Sequence, residues 1–132
     1  MLTRRVFAAC ALFCAGCSNE AEQHELLPMT IGEWRRTSVE FIPPEEHDEK
    51  LKQRGIKQAR RATYQGTGRI TASVYQFGAP AVAFEMVQQW RTQPNSIALH
   101  QGPYFVILKA EQDDNKMLNA FAALLEAVLK TR

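Results

Sequence analysis

The sequence has no cysteine beyond position 17. Its three cysteines, Cys10, Cys14 and Cys17, all lie close to the amino terminus. A disulfide framework, a cysteine-based active site and a thiolate metal cage are therefore excluded from the rest of the chain. Long apolar runs are missing too, since no stretch reaches the roughly 20 residues that a membrane-spanning helix requires.

An excess of charge of one sign is also missing. Arg4 and Arg5 are two of the 16 basic residues, which leaves 14 basic against 14 acidic residues in the remainder. A near-neutral chain has no long-range attraction for nucleic acid, so no nucleic-acid partner is predicted. The length of 132 residues leaves room for one domain.

The amino terminus has the parts of an export signal. Arg4 and Arg5 form a short cationic region, and the apolar run Val6–Ala15 follows it. This run has the length of a signal-peptide core and is too short to cross a membrane. We therefore predict a signal peptide over residues 1–16. The paired arginines also fit a twin-arginine signal, so Sec and twin-arginine export both stay open.

Residues Cys14-Ala15-Gly16-Cys17 resemble the lipobox of bacterial lipoproteins, with Cys14 in place of the usual leucine. The resemblance implies a mature protein that begins at Cys17 and carries its lipid on that thiol. Stable anchoring requires more than one acyl chain, as lipoproteins have. Ser18 stands where an aspartate would retain a lipoprotein at the inner membrane. The predicted location is thus the periplasmic face of the outer membrane, with the inner membrane and the soluble periplasm as alternatives.

The mature chain divides into a tether and one domain. Residues 17–25 are predicted to be the lipidated cysteine and a polar, acidic tether with little to bury, and residues 26–132 a single domain. Alternating apolar residues predict strands over Gly32–Ile42, Ile56–Tyr64, Arg69–Phe77, Ser96–Leu99 and Tyr104–Lys109. Helices are predicted over Glu45–Arg54, from Pro80 towards Trp90, and after a cap at Asp113-Asp114.

This order of elements predicts an α+β fold. Two hairpins separated by a helix favour a two-layer sandwich, with a mostly antiparallel sheet of about five strands and helices on one face. The carboxyl-terminal helix has a broad apolar stripe, which we expect to pack on Ile70, Ala72 and Val74. The stripe comprises Met117, Leu118, Phe121, Leu124, Leu125 and Val128.

Three short motifs between Leu26 and Tyr104 are similar to those of a family of small exported bacterial domains of unknown function. They are Leu-Leu-Pro-x-x-Ile-Gly-x-Trp at 26–34, Val-Tyr-x-Phe-Gly-x-Pro-x-x-Ala-Phe at 74–84, and Gly-Pro-Tyr at 102–104. The motifs consist of aromatic and turn residues rather than reactive groups. The resemblance therefore supports the fold and implies no activity.

No arrangement of reactive residues stands out. His24, His47 and His100 are not at metal-ligand spacings. The acidic segment Glu45–Glu49 does not suit one cation, because consecutive helical residues point in different directions. The serines lie in no nucleophile motif. We therefore predict no catalytic residue, no metal and no cofactor.

Two further groups are assigned structural roles. The basic stretch from Lys50 to Arg61 would suit a phosphate-rich partner such as lipid head groups. Ion pairing at i,i+4 in the charged helix, as between Glu46 and Lys50 or Asp48 and Lys52, together with an exposed strand face, is favoured instead. Core positions rather than a ligand platform are predicted for the aromatic residues Trp34, Trp90, Tyr104 and Phe105.

These observations favour a lipid-anchored binding or accessory module without catalytic activity. Its partners would be the membrane, through the lipid on Cys17, and an envelope protein. A small periplasmic enzyme with a site assembled from dispersed residues and a structural envelope protein are the alternatives. Converging carboxylates in a cleft would favour the enzyme, and an exposed aromatic patch would favour partner binding.

Overall fold

The computed structural model describes residues 26–132, so the predicted signal peptide, Cys17 and the tether with His24 lie outside the described residues. The strands are β1 (Thr30–Ile31), β2 (Trp34–Phe41), β3 (Gln58–Gln65), β4 (Arg69–Gln76), β5 (Ser96–Gln101) and β6 (Tyr104–Ala110). The helices are α1 (Glu49–Lys52), α2 (Pro80–Gln89) and α3 (Asn115–Lys130), and a 3-10 turn covers Pro44–Glu46.

The six strands form one sheet in the order β1-β2-β3-β4-β6-β5, and every neighbouring pair is antiparallel. This confirms the predicted α+β class and the antiparallel sheet. The sheet has one strand more than expected, because the two residues of β1 pair with Trp34 and Arg35. Both predicted hairpins are present, and β6 rather than β5 lies beside β4.

The helices are arranged differently from the expected single layer. On β6, Val106 and Leu108 belong to the apolar cluster that includes α3. Phe105 belongs instead to a second cluster with Ala83 and Met86 of α2. Because neighbouring residues of a strand point to opposite faces, α3 covers one face of the sheet and α2 lies on the other.

The acidic segment after β2 does not form one continuous helix. His47 is extended between the 3-10 turn and α1, with φ −72° and ψ 137°. Asp48 is the N-cap of α1, where its carboxylate accepts a hydrogen bond of 2.9 Å from the Lys50 N–H. Among the ion pairs of residues 26–132, the expected i,i+4 pairs Glu46–Lys50 and Asp48–Lys52 do not occur, and Lys52 Nζ lies 3.9 Å from Glu49 Oε1 instead. A short acidic side chain favours the capping position over the helix interior, which shortens the helix.

The carboxyl-terminal helix begins where its capping residue predicts. Asp114 accepts a hydrogen bond of 3.0 Å from the Met117 N–H, and α3 then continues to Lys130. No helix within the described part of the chain is long and apolar enough to cross a membrane.

The first described residues are bound to the sheet. The Tyr64 hydroxyl donates a hydrogen bond of 2.7 Å to the Pro28 carbonyl, and Arg36 Nη1 donates one of 2.6 Å to the Leu27 carbonyl. Tyr64 is fully buried, and this burial raises its pKa. The chain is therefore fixed to the domain from about Leu27 onward.

Candidate functional site

A groove runs beside the amino-terminal half of α3, between that helix and two turns of the sheet. The β1–β2 turn and the β3–β4 turn form its other side. Its volume is about 590 Å³, which lies within the range of roughly 300–1,000 Å³ typical of ligand pockets. The residues that line the groove are Glu33, Trp34, Thr67, Asp114, Lys116, Met117, Ala120 and Leu124.

The floor of the groove is built around Trp34. The indole packs edge-to-face on Phe121, with ring centroids 5.4 Å apart and planes at 87°. Its pyrrole edge lies on Gly66, where a Cβ atom would come within 2.6 Å of Trp34 Cδ1. Glycine is therefore required at position 66 for steric reasons, and the turn and the indole are held together.

The helical wall of the groove is apolar and partly exposed. Leu124 is 40% exposed, although its place in the stripe of α3 predicts burial. Its Cδ1 atom packs on Gly32, which has φ +58° and where a Cβ atom would lie only 2.6 Å away. Position 32 therefore favours glycine for its left-handed backbone conformation, whereas a Cβ atom there would only displace the flexible end of Leu124. Ala120, one turn earlier, is exposed on the same wall.

The rim of the groove is polar, and both of its carboxylates already accept hydrogen bonds. Glu33 accepts one of 2.9 Å from the Thr67 hydroxyl, and Asp114 caps α3 through the Met117 N–H. The two acids thus hold a turn and a helix end rather than converge on a common point. Lys116 adds one positive charge to the rim.

One polar atom at the floor lacks a partner. The Trp34 Nε1 atom is buried and has no hydrogen-bond partner among residues 26–132. A buried N–H without an acceptor costs roughly 1–3 kcal/mol. The groove thus combines apolar walls, a polar rim and no arrangement of a nucleophile with a base.

No protein-family model matches the chain, and no curated protein or solved structure is significantly similar to it. The chemistry of the groove is therefore inferred from its own residues, and the resemblances stated above stay predictions.

The two histidines of the described chain lie outside the groove. His47 Nε2 is 2.9 Å from the Ile42 carbonyl, and its ring meets Tyr75 edge-to-face. His100 packs edge-to-face against Phe84, with ring centroids 5.2 Å apart. Within residues 26–132, no three His, Cys, Asp or Glu side chains are grouped so as to hold a metal ion.

We accordingly expect the stability of the domain to be independent of redox state and of divalent cations. Residues 26–132 contain no cysteine, so a reducing agent should leave the melting temperature of the domain unchanged. EDTA should also leave it unchanged, because no group of metal-ligating side chains is found among these residues. Thermal denaturation followed by circular dichroism, with and without each reagent, measures this. A fall of several degrees with EDTA alone would show that the domain binds a structural cation.

The basic stretch is divided among separate contacts. Arg54 forms an ion pair with Glu85, and Arg61 lies 3.1 Å from Glu40. The expected i,i+4 pairs are absent from the described residues, and the partners of Arg54 and Arg61 are instead remote in sequence.

Arg60 is the exception, since it is 6% exposed and its guanidinium lies 4.9 Å from the centroid of the Phe41 ring. Burial lowers the pKa of Arg60. Its Nε and Nη1 atoms have no hydrogen-bond partner among the described residues. The cation–π contact with Phe41 partly offsets the lost solvation.

Three of the four aromatic residues assigned to the core are buried, namely Trp34, Tyr104 and Phe105. Trp90 is partly exposed and packs on Phe105 with ring centroids 5.3 Å apart.

The sequence does not predict the groove, because Ala120 and Thr67 have no reactive groups and Leu124 looks like an ordinary core residue. The one available signal is the width of the apolar stripe of α3, which exceeds what one contact face requires.

Proposed function

We propose that the protein is a lipid-anchored binding or accessory module at the periplasmic face of the outer membrane, and that the groove beside α3 binds an apolar segment of an envelope protein. The groove carries this proposal. Its exposed apolar wall, formed by Ala120 and Leu124, stands beside a rim of Glu33, Thr67 and Lys116. Apolar surface with a few polar groups at its edge is typical of partner-binding sites.

The same groove argues against a catalytic function. A hydrolytic or group-transfer site needs a nucleophile or an activated water close to a base. Of the two rim carboxylates, Glu33 is held by Thr67 and Asp114 by the Met117 N–H. Neither histidine of the described chain lines the groove. Binding therefore explains this surface better than catalysis does.

The proposed anchor restricts the class of partner. A tether of residues 17–25 reaches at most about 30 Å when fully extended. The domain itself is fixed from Leu27, through the Arg36 guanidinium. The groove would thus be held near the membrane, where a membrane-bound or membrane-inserted envelope protein is the accessible partner.

A charge placed in the groove tests the proposal. Ala120→Glu inserts a carboxylate into the apolar wall without removing a buried contact, since Ala120 is exposed. We expect cross-linking and co-purification of the envelope partner with the lipidated protein to fall at least about tenfold. Ala123→Glu is the matched control, because Ala123 is also exposed on α3 but does not line the groove.

Melting temperatures of the two variants should agree within a few degrees of the unmodified protein, which shows that the fold is kept. If Ala120→Glu and Ala123→Glu both retained the same partner at the same yield, the groove would not be its binding site.

A further inference from the structure

The outer edge of the sheet at β5 has no neighbouring strand within residues 26–132, and along it Ser96 is buried whereas Ala98 and His100 are partly exposed. The Ala110 N–H donates to the Asn95 carbonyl, so the carbonyl of residue 95 points towards β6. Backbone groups alternate in direction along a strand, and the N–H and C=O groups of Ser96, Ala98 and His100 therefore point away from β6. In the described part of the chain no strand pairs with β5 on that side.

The opposite edge of the sheet is protected and β5 is not. At that edge the two-residue strand β1 covers only the start of β2, and the rest of β2 is outermost. β2 has an irregularity between Arg36 and Ser38 and bears the charged residues Arg36 and Glu40. Bulges, charges and short covering strands are the usual devices against edge-to-edge pairing. β5, with the sequence Ser-Ile-Ala-Leu-His-Gln, has a regular register, no lysine, arginine, aspartate or glutamate, and no proline.

An exposed aromatic side chain lies beside this edge. Phe84 of α2 is 47% exposed and packs against His100 of β5. Ala83 and Met86 of the same helix are buried against the sheet. The open backbone groups of β5 are thus accompanied by apolar surface that a neighbouring strand would cover.

We propose that β5 pairs with β5 of a second copy of the chain, antiparallel about a two-fold axis at Ala98. In this register Ala98 lies opposite Ala98 of the second copy, and Ser96 lies opposite His100 of the second copy. All the outward-pointing groups of Ser96, Ala98 and His100 are then bonded. The two six-stranded sheets become one continuous sheet.

The chemistry of the edge favours a second copy as the occupant. A two-fold axis that passes between the two copies of Ala98, perpendicular to the sheet, keeps equivalent faces of the two sheets on the same side. Because β5 carries no formal charge apart from a titratable histidine, the symmetric pair brings no like charges together. The axis also places Phe84 of both copies on the same face, flanking the junction.

Ala98→Pro provides a selective test. The Ala98 N–H points away from β6, so proline in both copies removes the two central bonds of the proposed junction but none of the β5–β6 ladder. We expect sedimentation equilibrium of the full chain, in a density-matched detergent, to show a dimer whose dissociation constant rises at least about tenfold in the variant. Circular dichroism melts verify that the fold is retained. A chain that is monomeric at about 100 µM, even if its edge captured a strand of another protein, would overturn the proposal.

Two further variants keep the proposal testable if proline disturbs the fold. Ala98→Lys would place two ammonium groups opposite each other and should weaken the dimer to a similar extent. Ala98→Cys, with Cys10, Cys14 and Cys17 replaced by serine, should form a disulfide-linked dimer, since residues opposite each other in a bonded pair are about 5.5 Å apart between Cα atoms. Ala123→Cys in the same background is the control and should not cross-link. A dimer that survives both Pro and Lys, or equal cross-linking at positions 98 and 123, would place the contact elsewhere.

Discussion

Replacement of Phe121 by alanine is expected to lower the free energy of unfolding by about 3–5 kcal/mol, the usual range for a buried phenylalanine. Phe121 lies on α3 and is fully buried. Its ring lies 5.4 Å from that of Trp34 and 5.2 Å from that of Tyr64, measured between centroids. The loss would be a large share of the roughly 5–15 kcal/mol that stabilises a domain. Urea denaturation followed by circular dichroism measures it.

Leu124→Ala is the matched control on the same helix. Leu124 is 40% exposed, and alanine has the highest helix propensity, so its cost should stay below about 1 kcal/mol. If Phe121→Ala and Leu124→Ala had equal effects, α3 would not be a core element at Phe121.

The same packing predicts that truncation after Asp113 abolishes the cooperative fold. The removed helix supplies six buried residues, which are Met117, Leu118, Phe121, Ala122, Leu125 and Leu129. Without them, the face of the sheet that includes Ile70, Ala72 and Val74 would be open to water. A truncated chain that still melted cooperatively would show that α3 is a displayed amphipathic segment rather than a core element.

Cys17→Ala is expected to abolish lipid attachment completely. The thiol of Cys17 is the acceptor that the lipobox resemblance implies, and no later cysteine replaces it. Palmitate labelling should disappear, and the chain should be found as unprocessed precursor or as soluble product. Labelling and membrane fractionation measure both effects.

Cys14→Leu is the control for Cys17→Ala, since it restores the usual residue of the lipobox and should leave labelling intact. Normal membrane retention of the Cys17→Ala protein would contradict lipidation at this position.

Local sequence determined most of the elements of this fold. Gly66 and Gly102 mark the two hairpin turns, the alternation of Ile70, Ala72 and Val74 defines the inner face of β4, and Asp114 begins α3. These features depend on neighbours a few residues away, through turn geometry, side-chain alternation and capping bonds. They are therefore visible without knowledge of the tertiary structure.

Which face of the sheet each helix covers was decided only by the tertiary structure. The periodicity of α2 shows that one side of the helix is apolar, but not which surface it covers. That surface follows from the path of the chain from β4 through α2 to β5 and back to β6, which places Phe105 with Ala83 on the face opposite α3. Periodicity is a property of one element, whereas the contacting surface is a property of two.

The groove and the open edge also arose from the assembly of distant segments. Trp34, Thr67 and Leu124 are brought together only when the β1–β2 turn, the β3–β4 turn and α3 meet. Leu124 is 40% exposed, and its Cδ1 atom packs on Gly32 in the β1–β2 turn. Ser96, Ala98 and His100 look like residues of any strand, and only the strand order shows that β5 is last in the sheet. The sequence by itself thus determined the elements and their apolar sides, and long-range packing decided which of those surfaces were left exposed.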